Sequence, residues 1–150
     1  MNIFGEILFW FLTITTCISG GGGFLLKIPG LYFPDAYIVN GEVGTGTTDF
    51  EYVATFVFAC VYLCPIFGLL YAHIWESHDD AALRAACIAP MTYHAMSVVG
   101  IYVVFGRYLN PAVAPIHSAA GMHVFYALLF ALLFWTAHTN NDPYNHHKRD

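Results

Sequence analysis

The stretch APMTYHAMSVVG, residues 89–100, contains no charged side chain and a single histidine, His94, near its middle. The apolar character continues on both sides as far as Arg84 and Arg107. A helix needs about 20 mostly apolar residues to cross the hydrocarbon core of a bilayer, which is about 30 Å thick. We therefore predict a membrane-spanning helix over residues 85–106, with an imidazole inside it.

The composition extends this interpretation to the whole chain. Hydrophobic residues make up 58% of the 150 residues and charged residues only 10%, whereas soluble domains use about 45–50% and about 25%. A soluble domain of this size needs more charge to cover its surface, so we predict an integral membrane protein. The formal net charge is −5, with only five Lys or Arg. This balance excludes the clustered basic surface of a nucleic-acid-binding protein, and we expect no nucleic-acid partner.

Three further apolar runs accompany the one around His94, and charged residues lie at the ends of all four. We predict helices over residues of about 7–26, 52–75, 85–106 and 112–138, all in one domain. Because a backbone in lipid must satisfy its own hydrogen bonds, these segments should pack together. The predicted fold class is all-α, a bundle of four transmembrane helices. The polar segments between them are predicted to be loops.

Two histidines, His94 and His123, lie deep in the third and fourth predicted helices, and the other histidines lie near helix ends or in polar segments. At a rise of about 1.5 Å per residue, both are roughly 15–20 Å from the connection around Arg107. On antiparallel neighbours the two imidazoles therefore share a depth to within about one helical turn. The residues that flank them are Met91, Tyr93, Met96, Met122 and Tyr126.

A deep histidine pair is consistent with three roles. Two imidazoles can hydrogen-bond across the bundle and hold the third helix to the fourth, which is the interpretation that we favour. Alternatively, His94 and His123 ligate a haem b iron or bind a quinone, as in an electron-transfer membrane anchor. Proton transfer is the third role. The sequence has no C-x-x-C-H motif for covalent haem attachment.

Common catalytic motifs do not occur in the sequence. It contains no H-E-x-x-H, no G-x-S-x-G, no P-loop and no G-x-G-x-x-G. The four cysteines all lie in apolar runs, as is typical of small buried residues: Cys17, Cys60, Cys64 and Cys87. We therefore predict a small non-catalytic subunit or scaffold of a membrane protein complex. Its expected partners are membrane lipids and either other membrane-protein subunits or further copies of the chain.

The layout also resembles that of small four-helix membrane proteins of the DoxX-like group, which includes an ergosterol-biosynthesis scaffold. The resemblance rests on the chain length, a long first loop, a histidine in the third helix (TYHAMSVVGIYVVFGR), a proline-led fourth helix (NPAVAPIH) and a short basic end (HHKRD). It covers the second to fourth helices loosely. It implies a non-catalytic tether that holds membrane enzymes together.

Four spans put both termini on one face of the membrane and the first loop on the other. Single cysteines can be placed at positions 2, 45, 79 and 145 of a chain whose four native cysteines are replaced by alanine. With a membrane-impermeant maleimide, position 45 should label from the face opposite to the other three. Labelling of position 79 together with position 45 would refute the four-span topology.

Overall fold

The computed structural model describes residues 1–18, 38–39, 41–43, 49–75 and 80–138. Within these residues the chain is mostly helical, and the four predicted helices are present. They are α1 (Ile3–Thr15), α2 (Asp49–Trp75), α3 (Asp80–Gly100) and α4 (Ile116–His138).

The first helix begins at Ile3, earlier than the predicted residue 7, because Asn2 caps it. The Asn2 side-chain oxygen accepts a hydrogen bond of 2.8 Å from the Gly5 backbone N–H, which otherwise has no partner at a helix start. The Glu6 carboxylate lies in the first turn, where a negative charge is favourable. The helical backbone continues to residue 18, and the rest of the predicted span, 19–26, lies outside the described residues.

The second helix begins a few residues before the predicted position 52 and ends at Trp75, as predicted, passing through Pro65. The third begins at Asp80 instead of residue 85, and the carboxylate in its first turn again favours a helix start. After Gly100 the backbone goes on as a π-helical turn, Ile101–Phe105, and a 3₁₀ turn, Gly106–Tyr108.

The fourth helix begins at Ile116, later than the predicted residue 112. Asn110 causes the delay, because its side-chain oxygen accepts a hydrogen bond of 3.1 Å from the Ala112 N–H. The Asn110 carbonyl also accepts hydrogen bonds from the backbone N–H groups of Val113 and Ala114. These local bonds hold the segment after Pro111 in turns and compete with a helical backbone.

One small element departs from the all-α prediction. Residues Ile38–Val39 pair antiparallel with Glu42–Val43. Gly41 between them has a φ of 84°, a left-handed conformation that glycine adopts without steric cost. The first loop therefore contains a short hairpin, and the fold is helical apart from this pair of strands in the described residues.

The four helices form a closed arrangement around a shared core. The largest interface joins α3 and α4, and smaller ones join α2 to α3 and α1 to α4. Phe9 of α1 lies on His73 of α2, with ring centroids 4.0 Å apart, which completes the ring of contacts. The described buried residues of α3 are Leu83, Cys87, Pro90 and His94. This spacing of three or four residues places one face of α3 inside the bundle.

The apolar core lies in the half of the bundle that contains the start of α1 and the end of α4. A Cβ atom added to Gly5 would lie 3.1 Å from the Thr136 hydroxyl, so these two ends pack closely. All four helices contribute to the core, which consists of Leu8, Phe9, Leu12, Ile66, Leu69, Leu83, Cys87, Phe130, Leu133 and Ala137.

Two helical segments, Asp80–Val104 and Ile116–Ala137, are long and apolar enough to cross a membrane. The shorter segments Ile3–Ile18 and Ala59–Trp75 are also apolar. Of the four predicted spans, the third and fourth therefore meet the requirement of length and composition within the described residues.

Phe130 offers a test of the core. Its side chain is fully buried, so Phe130→Ala should leave a cavity and lower the free energy of unfolding by about 3 kcal/mol or more. Phe125→Ala is the matched control, because Phe125 is on the same helix but 50% exposed, and it should cost less than about 1 kcal/mol. Reversible unfolding in mixed micelles measures both values. Similar losses in the two variants would contradict this placement of Phe130.

Candidate functional site

The two deep histidines meet in the interface between α3 and α4. His94 is on the buried face of α3, with 1% of its surface exposed. His123 on α4 is half-buried and faces it, and the two Nδ1 atoms are 3.0 Å apart. This is a hydrogen-bond distance. The sequence-based prediction that His94 and His123 share a depth and touch across the bundle agrees with this geometry.

A hydrogen bond between two Nδ1 atoms restricts the protonation of both rings. One Nδ1 must carry a hydrogen and donate it, and the other must offer its lone pair. The accepting ring then keeps its own hydrogen on Nε2, whereas the neutral donating ring has a bare Nε2. While the bond persists, no more than one of the two imidazoles can be positively charged.

Among the described residues, four aromatic rings besides that of His123 lie around the His94 imidazole. Tyr126 and Phe130 of α4 lie nearly parallel to it, with centroids at 5.2 Å and 5.7 Å and interplanar angles of 15° and 20°. Tyr62 of α2 and Tyr93 of α3 meet it nearly at right angles, with centroids at 5.6 Å and 5.2 Å. Both offset-parallel and edge-to-face contacts are favourable for aromatic rings. The orientation of His94 is therefore fixed by packing as well as by its hydrogen bond.

The sequence predicted only some of the residues that contact the histidine pair. Of the flanking residues, Tyr93 and Tyr126 contact the pair, whereas Met96 and Met122 are exposed on the outside of the bundle. Met91 packs against the apolar core. Tyr62 and Phe130 were missed, although each lies on the buried face of its own helix. The signal for Tyr62 is its spacing of three residues after Ala59 and four before Ile66, both of them buried.

The first helix brings hydroxyl groups to the bundle interior. Thr16 is 1% exposed and lies beside Tyr62. We call Thr16, Tyr62, His94 and His123 the polar layer, since each of the four helices contributes one of them. Uncharged groups that can hydrogen-bond are the form of polar residue that costs least inside an apolar bundle.

The distance between the two Nδ1 atoms tests the alternative in which an iron lies between the two histidines. A metal–nitrogen bond is about 2 Å long, so two axial nitrogens on opposite sides of one ion are about 4 Å apart. The Nδ1 atoms are closer than that, at 3.0 Å, and bond each other directly. Haem ligation would therefore require the rings to turn or separate. In the described part of the chain, no group of three or more His, Cys, Asp or Glu residues is placed to hold a metal ion.

Two further histidines lie at opposite ends of the bundle. His73 Nε2 at the end of α2 is 3.3 Å from a carboxylate oxygen of Glu6. His117 Nδ1, at the start of α4, lies 3.1 Å from the Tyr102 hydroxyl. Each contact ties the end of one helix to another helix or turn. The sequence placed both histidines near helix ends, and the structure alone shows these contacts.

Comparison with known proteins found no match. No protein-family model, no curated protein and no solved structure matches the chain.

The histidine contact can be measured with a double-mutant cycle. His94→Ala and His123→Ala break the same bond, so the two losses of unfolding free energy should not add, and the coupling energy should be about 0.6 kcal/mol, the average for hydrogen bonds between membrane helices. His94→Ala combined with His117→Ala is the control and should be additive, because His117 bonds Tyr102 instead. Additive losses for His94 and His123 would show that the bond does not form in the bilayer.

Proposed function

We propose that the chain is an integral membrane protein with four transmembrane helices, and that it serves as a small non-catalytic subunit or scaffold of a membrane complex. The interior of the bundle is used to hold the helices together. The outward faces are left for lipid and for partner chains.

The outward faces of all four helices support membrane integration. Large apolar side chains are exposed on every helix, for example Phe11 on α1, Phe67 on α2, Ile88 on α3 and Leu128 on α4. Soluble monomers rarely expose contiguous apolar patches of more than a few hundred Å². In an apolar stretch of 18 residues within each of the two long segments only 22% of the residues are buried, whereas the core helix of a soluble protein is mostly buried. Lipid would cover these side chains at no cost.

Two tryptophans also favour a membrane boundary at one end of the bundle. Trp75 is at the end of α2 and Trp135 is near the end of α4, and they are 69% and 62% exposed. Tryptophan is enriched where the hydrocarbon core meets the headgroups. The contact between Glu6 and His73 lies at the same end, where it can reach water.

The observation that carries the scaffold proposal is the direct bond between His94 and His123. Each imidazole uses its Nδ1 on the other, and the rings around His94 are packed against it at contact distance. Such a pair holds α3 to α4, which is the structural role that the sequence led us to favour. The resemblance to the DoxX-like group points to the same role, a non-catalytic tether.

The competing proposal is a haem b- or quinone-binding electron-transfer anchor. The specific observation in its favour is that both histidines lie in the interior on facing helices, which is where a bundle holds such a group. The 3.0 Å bond between the Nδ1 atoms favours the scaffold over this alternative.

Purification from the native membrane in a mild detergent tests the two proposals together. For the scaffold we expect partner chains, or further copies of the chain, at fixed stoichiometry and no absorption band near the Soret region. An unrelated four-helix membrane protein with the same tag serves as the control for non-specific partners. A Soret band that is lost in both His94→Ala and His123→Ala would establish the haem anchor instead. A monomer that carries no partner would count against the scaffold role.

A further inference from the structure

We propose that His94 and His123 together take up one proton, which binds the bare Nε2 of the donating ring while the hydrogen bond between the two Nδ1 atoms is kept inside the α3–α4 interface. This inference goes beyond the scaffold proposal and does not depend on it, because it concerns the pair itself whether or not partner chains exist. It rests on the hydrogen bond, on the rings around His94 and on the lack of charge in the contacts of the pair.

The hydrogen bond provides a place for one proton without being broken. The neutral donating ring has a bare Nε2, and a proton from water that binds there turns this ring into an imidazolium. Its Nδ1–H still points at the lone pair of the other Nδ1, 3.0 Å away. The bond is now charge-assisted and stronger than the neutral one. The pair therefore gains one positive charge and loses no contact between the helices.

A second proton has no comparable place. It would have to bind the Nδ1 lone pair that accepts the hydrogen bond, or else the bond would have to break first. Two N–H groups would then face each other at 3.0 Å, on two positively charged rings. Like charges at this distance oppose each other strongly, and the pair titrates as one coupled unit. The capacity of the site is one proton.

The rings that enclose His94 support a positive charge. The rings of Tyr126 and Phe130 lie nearly parallel to the imidazole, at 5.2 Å and 5.7 Å between centroids. A cation within about 6 Å of an aromatic face is attracted by the negative potential of the ring. These two faces offset part of the cost of placing an imidazolium away from water.

The other groups around the pair are uncharged. Tyr62 approaches from α2, Tyr93 from α3 and Tyr126 from α4. Thr16, directly after α1, lies beside Tyr62. The nearest basic residue along α3 is Arg84, ten residues or about 15 Å away, where it covers the Phe134 ring. Among the described neighbours no carboxylate competes for the proton.

The test uses the full chain in lipid nanodiscs, with ¹⁵N-labelled histidine. His94→Gln and His123→Gln assign the resonances, and NMR follows the Nδ1 and Nε2 signals as the pH falls. We expect the nitrogen signals of both rings to shift together in one titration step, in which each chain takes up one proton. Circular dichroism should show that the helices stay intact over this pH range. Independent titration of the two rings, with one proton each, would overturn the proposal. So would an absence of any uptake by the pair before the helices unfold.

Two ring variants test how the charge is held. Phe130→Leu removes a ring face and keeps an apolar side chain, and it should lower the pH of half-protonation by about half a unit, about threefold in proton affinity. Tyr126→Phe keeps its ring face and is the matched control, so its shift should be smaller. Equal shifts in both variants would overturn the part assigned to the ring faces.

Discussion

The interface between α3 and α4 is the largest in the bundle, and the hydrogen bond between His94 and His123 lies within it. A polar contact inside an apolar bundle is directional, whereas packing of Leu and Phe side chains tolerates small sliding movements. The bond therefore sets how far α4 can slide or rotate against α3. Phe130 connects the His94–His123 contact to the apolar core, because its ring stacks on His94 and also belongs to the core.

The bundle separates polar contacts by depth. At one end, the Glu6 carboxylate and the His73 ring, 3.3 Å apart, link α1 to α2. At the other, the Tyr102 hydroxyl and His117 link the turn after α3 to the start of α4. Charged or exposed groups are used at these ends, where water is accessible, and uncharged groups make up the polar layer between them. The arrangement of these groups from the ends to the interior reflects the free energy needed to remove each of them from water. That free energy is far greater for a charge than for a neutral ring or hydroxyl.

Within the described residues His94 and His123 hydrogen-bond each other, and such a pair is compatible with a scaffold and still retains chemistry of its own. Each ring has an Nε2 atom outside the shared bond, and the two Nε2 atoms differ, since one carries a hydrogen and the other does not. A purely apolar contact between α3 and α4 would hold the helices without this property. The polar layer thus makes the interior of the proposed membrane bundle responsive to protons, which its packing alone would not do.

The sequence by itself determined the number of helices, their apolar character and the pairing of His94 with His123. The first two follow from residue type, and the pairing follows from a constant rise per residue along two antiparallel helices. The predicted positions of the helix ends were less accurate, because helix ends depend on caps and turns such as those of Asn2 and Asn110. The tertiary structure alone decided which rings enclose His94 and which nitrogen atoms meet. Tyr62 is 32 positions before His94 and Phe130 is 36 after it, and neither rise nor periodicity specifies how three helices rotate against one another.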